Sequence, residues 1–94
     1  VHARDGLEVR RIGRDGAADA AAVLGRAFVD DPSWRFVFPD DATRVARTAR
    51  LLGAVIARFF VGLGEAWVVA DAGATVATAI WAPPGRHVMP ARTA

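Results

Sequence analysis

The 94-residue chain contains no cysteine, no tyrosine and no lysine. Without cysteine there is neither a disulfide framework nor a thiolate metal site, which fits a reducing compartment. Without lysine or tyrosine, all twelve cationic side chains are arginines. Only the N-terminal amine then titrates between histidine and arginine. The isoelectric point near 11.0 reflects that flat stretch of the titration curve; the net charge is only +2. A nucleic-acid-binding domain would concentrate more positive charge than this, so no nucleic-acid partner is expected. No uninterrupted apolar run approaches the ~18 residues of a membrane span. Arg10-Arg11 is followed by Ile12-Gly13-Arg14-Asp15 rather than an apolar region, which argues against a twin-arginine leader. The expectation is a soluble, cytoplasmic protein with no membrane partner. His2 and His87 stand near opposite ends with no second ligand at metal spacing, so no metal site is expected. Neither Ser-His-Asp nor Gly-x-Ser-x-Gly occurs, and nucleophilic hydrolysis has no support.

What is present is enough apolar material, 53% of residues, for a packed core. The length allows one domain or part of one, with modest burial. Leu7–Ile12 begins with alternating apolar and polar residues and reads as a short half-buried strand. Asp15 is placed to cap a helix over Ala17–Phe28, with Asp19 in its first turn and an apolar stripe through Ala20, Val23, Leu24, Ala27 and Phe28. Its alanines allow close approach to a sheet. Pro32 halts any continuation. A second helix runs from Ala42 to about Val61, capped by Asp40 or Asp41. Val45, Leu52, Ile56, Phe59, Phe60 and Leu63 gather on one side of its wheel and Arg44, Arg47, Arg50 and Arg58 on the other. Gly62 and Gly64 end it. Ala66–Ala70 and Thr75–Ala82 form a β-hairpin around Asp71–Ala74, stopped by Pro83-Pro84-Gly85. Residues 86–94 lack periodicity and read as loop or tail. The fold class is α+β: two helices on a small, mostly antiparallel sheet, in the order β-α-α-β-β.

The segment Phe28–Asp40 is unusual for a connector. Loops run over the surface and are normally small and polar, yet this one crowds Phe28, Trp34, Phe36, Val37 and Phe38 against Asp30, Asp31 and Asp40. The aromatics either wall a pocket or plug the core between the helices. Asp30 and Asp31 either attract an ammonium group or hydrogen-bond the backbone of a turn around Ser33. Glu65, at the start of a strand, is either a remote general base or a solvent-facing acid. The arginines of the second helix either touch phosphate or a partner, or form a solvated outer face.

Thr75–Ala82 carries no charge. Val76, Thr78 and Ile80 alternate with Ala77, Ala79 and Trp81. Edge strands are ordinarily blunted by charge, proline or a bulge because their free backbone groups invite pairing. An unguarded last strand implies a neighbouring strand from outside these residues, supplied by a C-terminal half or by a second copy of the chain.

An ordered series of segments supports a family likeness. It runs from Val9-Arg10-Arg11-Ile12 and Asp19 to Arg26-Ala27-Phe28, Asp30-Asp31-Pro32, Trp34-Arg35 and Phe38-Pro39-Asp40. It closes with Gly64-Glu65-Ala66-Trp67-Val68-Val69-Ala70-Asp71 and Ala79-Ile80-Trp81-Ala82-Pro83-Pro84-Gly85. This resembles the N-terminal half of the GCN5-related N-acetyltransferases, especially a bacterial branch whose third strand ends in Trp-x-Pro-Pro-Gly. The resemblance implies that residues 1–94 are a single partial domain, the first half of an acyl-CoA N-acyltransferase fold. The sheet would go on to a fourth strand, where acetyl-CoA sits as cosubstrate of the complete domain. Its pyrophosphate would be held by amides of a Gln/Arg-x-x-Gly-x-Gly/Ala loop at a helix N-terminus. That loop has no counterpart here. Gly62-Leu63-Gly64 follows a helix and precedes a strand, and reads as a helix stop. No cofactor-binding residue carries over, the catalytic residues are unknown, and no tightly bound cofactor is expected on this chain alone. Part of the acceptor side does carry over: Asp30, Asp31, Trp34 and Phe38 match the loop bordering the acceptor pocket, and Trp81 with Pro83 matches the end of the third strand near the same cleft. The implied acceptor is an amine, on a small molecule or a peptide. The alternative is a non-catalytic truncated module that pairs through its exposed last strand with another chain, as in a homodimer.

Overall fold

A computed structural model describes residues 6–85. Strands β1 (Leu7–Arg11), β2 (Ala66–Asp71) and β3 (Ala74–Ile80) form one sheet in that order, both pairings antiparallel. Three helices lie between β1 and β2: α1 (Ala17–Ala27), α2 (Pro32–Val37) and α3 (Arg44–Val55). The α+β class holds, with one helix more than expected. Residues 86–94, read as loop or tail, lie outside the described residues.

The core is built mostly of small side chains. Ile12, Ala17, Ala20, Ala21, Ile56, Ala66 and Val68 form a buried cluster, with Leu24, Leu52, Phe60 and Ile80 packed against it. In β2 the buried positions Ala66, Val68 and Ala70 alternate with half-buried Trp67 and Val69, the period-2 signature of a sheet with one face on a core. The alanines of α1 serve α3 as well as the sheet. A Cβ on Gly25 would meet the Val45 carbonyl oxygen at 2.8 Å and the Ala49 Cβ at 3.2 Å. Glycine there is what lets the two helix backbones touch.

Several local expectations change. Asp15 does not cap α1: it sits in a 3₁₀ turn (Arg14–Gly16), and the N-cap is Gly16 with no side-chain bond. Asp19 does lie in the first turn, where the dipole favours it. Pro32 starts a helix rather than ending one. It sits at the first turn of α2, where a missing N–H costs nothing and the fixed φ suits a helix. α3 begins at Arg44, and its N-cap is Thr43 without a side-chain bond. Asp40 instead holds the preceding turn, accepting from the Ala42 N–H at 3.0 Å and the Thr43 hydroxyl at 3.2 Å.

α3 does not run regularly to Val61. Ile56–Phe60 is a π turn and Val61–Leu63 a 3₁₀ turn, closed by Gly64 at φ +75°. The wider π turn shifts the side chains within and after it about the helix axis: Ala57, Phe60 and Val61 join the core margin, while Phe59 lines an outer depression. The wheel also misplaced the helix's first turn. Arg44 is buried and Val45 exposed, because Arg44, Thr48, Leu52 and Ile56 form the i, i+4 line that faces inward.

The hairpin turn is tighter than expected. Asp71 pairs with Ala74, leaving only Ala72 (φ 51°) and Gly73 (φ 89°) in the loop. Two positive φ values make a primed turn matching the twist of the strands. β2 and β3 also contain a bulge. Val69 pairs with Ala77 and Ala70 with Thr75, so Val76 is the extra residue, exposed rather than in line with Thr78 and Ile80. β3 ends at Ile80, two residues early, although the Trp81 N–H still donates to the Glu65 carbonyl at 3.1 Å. Among the described residues no strand pairs with the outer edge of β3.

Candidate functional site

The residues singled out from the sequence fall into two places. The first is the α1–α2–α3 corner. Asp31 is the N-cap of α2, its Oδ1 accepting from the Ser33 N–H at 2.8 Å and the Trp34 N–H at 3.4 Å. Of its two expected roles the structure displays the backbone one. Asp30 is exposed and, among the described residues, carries no hydrogen bond or ion pair. Capping α2 fixes Trp34, which lies between two phenylalanines. Its ring is 5.9 Å from Phe28 at 16° and 6.3 Å from Phe38 at 19°. Stacks of this spacing contribute about 0.5–1.5 kcal/mol each beyond area burial. Phe36 does not join them; it is 87% exposed. Its α2 position turns it away from Trp34 and Phe38.

This corner is held by a residue whose charge suggested solvent. Arg44, at 4% exposure, donates Nε to the Phe38 carbonyl at 2.8 Å, Nη2 to the Pro39 carbonyl at 3.1 Å and Nη1 to the Val29 carbonyl at 3.3 Å. Nη2 also donates to the Asp41 carboxylate. One guanidinium fork thereby ties both ends of the Val29–Pro39 segment to α3, a geometry a lysine cannot copy. The same hydrogen bond, followed by the Arg44 charge, holds the Asp41 carboxyl below its ordinary value of 3.8. Three residues further, Arg47 joins Arg50, Phe38, Leu51 and Ala54 around an open depression of about 540 Å³.

The second place is the face of the sheet turned away from the helices. Val9, Trp67, Val69, Ala77, Ala79 and Trp81 line a shallow apolar cavity of about 270 Å³. Trp67 and Trp81 stack at 6.4 Å and 3°. The Arg11 guanidinium lies 4.7 Å over Trp67, and the Trp67 indole N–H donates to Glu65 at 3.3 Å. Glu65 is thus engaged with an indole. Pro83 is half-buried. Asp31, Trp34 and Phe38 are therefore brought together, with Asp30 beside them. Trp81 belongs to the opposite face of the sheet.

Arg44 and Arg11 were both missed. The signal for Arg44 was positional, since it is one turn before Thr48 on the line that continues through Leu52 and Ile56. For Arg11 it was register. Arg11 pairs with Trp67 across β1 and β2, but that pairing is invisible before the strands are aligned. No group of three or more His, Cys, Asp or Glu side chains among the described residues could hold a metal. No helix among them is long and apolar enough to cross a membrane. No family model matches the chain, and neither a curated protein nor a solved structure matches it.

Proposed function

We propose that the chain is the acceptor-side half of an N-acetyltransferase that moves an acetyl group from acetyl-CoA to an amine. The observation that carries this reading is the sheet. Among the described residues it has helices on one face, an apolar opposite face that lines a shallow cavity, and an outer edge at β3 that no strand pairs. A sheet edge of that form invites a neighbouring strand, and it falls after the third strand, where the family likeness puts the fourth. In that reading Asp30 and the Phe28–Trp34–Phe38 stack border the amine. An unprotonated amine attacks the thioester carbonyl, the C–S bond breaks, and the thiol leaves. Catalysis of this kind rests on positioning and on removing the amine proton. Asp30 would attract the ammonium form, and the stack would fix its apolar part. The acetyl-CoA loop and proton acceptor belong to the half beyond β3.

The test is the gene beyond Ala94. An apolar strand followed directly by Gln/Arg-x-x-Gly-x-Gly/Ala at a helix start is the expected continuation. With that continuation expressed, acetyl-CoA-dependent thiol release with an amine acceptor is expected. Residues 1–94 alone should bind acetyl-CoA weakly or not at all by calorimetry. Tight binding by this chain alone, or a continuation without strand and loop, would overturn the reading.

The same unpaired edge favours a second reading, a non-catalytic module that adds its β3 to β3 of a second copy. Sedimentation separates the two. A discrete dimer of the isolated chain supports the module, and a poorly folded or aggregating monomer supports the half-enzyme.

A further inference from the structure

A further strand would pair the β3 edge and leave the outer side of the helix layer open. There, two depressions share Ala54 and run end to end along α3 and the turn after it. Phe38, Leu51, Ala54 and Phe59 line them with carbon, and Leu51 is 42% exposed. Arginines line them too: Arg47 and Arg50 the first depression, Arg14 and Arg58 the second. Among the described residues no acidic side chain lines either one. Arg58 lies over the Phe59 ring at 5.6 Å, and among the described residues none of the four arginines is in an ion pair. Isolated exposed apolar residues are ordinary. A shallow apolar trough lined by four arginines that have no ion-pair partner among the described residues is a surface with a defined complement.

We propose that this trough docks an acidic amphipathic helix of a partner protein. Charge and shape define the complement. The arginines require anionic groups, and the apolar lining requires aliphatic side chains between them. From Arg47 to Phe59 the groove extends roughly 18 Å at a helical rise, about three turns of a partner helix laid in a groove with i, i+3/i+4 and i+7 anchors. An anionic bilayer would meet the same four charges and is the contrary outcome of the test below. The docking proposal does not rest on the acyl-transfer reading, although Phe38 is common to this surface and to the stack assigned there to the amine.

Fluorescence anisotropy of the chain with a labelled 15-residue peptide tests this. The probe carries leucines at i, i+3 and i+7 with glutamates flanking them; its control replaces every glutamate with lysine. Saturable binding of the acidic peptide alone is expected. It should weaken about tenfold or more in Arg47→Glu/Arg50→Glu, the reversal of two exposed pairs, and be lost in Leu51→Glu. All three positions are exposed, and circular dichroism should confirm that these variants fold. Absence of acidic-peptide binding, equal binding of both peptides, or binding indifferent to these substitutions would overturn the proposal. So would co-sedimentation with phosphatidylserine vesicles that the substitutions abolish while peptide binding persists.

Discussion

Replacing Arg44 with methionine removes the guanidinium fork while keeping much of the buried stem. The carbonyls of Val29, Phe38 and Pro39 then lose their donor. Hydrogen bonds to a charged group contribute about 1.5–3 kcal/mol each in mutational series. They are not additive here, because Pro39 is exposed and its oxygen regains water. The carbonyls of Val29 and Phe38, both half-buried, are left without this donor at about 1–3 kcal/mol each, so a loss of about 3 kcal/mol is expected. A chain of this length has a total stability of about 5–14 kcal/mol, so the loss is a large share of it. At about 4–8 °C per kcal/mol for a domain of this size, the melting temperature should fall by roughly 12–25 °C. Urea titration followed by circular dichroism measures the change directly. Arg44→Lys should recover only part of it, since an ammonium serves these three oxygens as a point charge rather than a fork. Asp41→Asn should do far less than Arg44→Met, because that carboxylate is 83% exposed. Arg44 would be shown to be no more than a surface ion pair if Arg44→Met cost under about 1 kcal/mol, or if Asp41→Asn cost as much.

Three further outcomes are expected. Thr48 buries a hydroxyl with no partner, so Thr48→Val, of nearly the same shape, should stabilise by about 1 kcal/mol in the same urea assay; a loss would mean the hydroxyl is satisfied in solution. Gly25→Ala would gain about 1 kcal/mol of helix propensity on an exposed helix, but here the added carbon meets Val45 and Ala49, so a net loss of about 1–2 kcal/mol is expected from overpacking, and a gain would show that α1 and α3 separate freely. Asp41 has a lowered folded-state pKa, so its pairing contributes stability above its ordinary value and loses it as pH falls through the folded value; NMR titration should place its midpoint below the ordinary value of 3.8, and Arg44→Met should raise it.

How much of this was legible depended on whether a residue's role was local. β1, the hairpin and the stop at Gly64 rest on short-range chemistry: alternation, β-branching, a turn glycine. α1 rests on a periodic run. α2 was overlooked because Pro32 was weighed as a breaker, although Asp31-Pro32 is equally an N-cap with proline at the first helical position. Arg44 was misplaced because charge type outweighed position on the wheel. Phe59 and Leu63 share the apolar side of a regular wheel yet stand outside the core cluster, and a π turn leaves no pattern in the sequence. Within the candidate site, Asp31, Trp34 and Phe38 are close in sequence and stay together. Trp81 reaches its neighbours only through strand register, which sets it on the far side of the sheet.

The parallel indoles of Trp67 and Trp81 make the sheet face turned away from the helices optically self-reporting. Two indole planes 6.4 Å apart and within 3° of parallel are close enough to exchange excitation, and Arg11 places a polarising charge over one of them. Whatever comes to lie over that face, a continuation of the same polypeptide or another subunit, must strip water from both rings at once. Its arrival would register as a blue shift in emission without any label being attached.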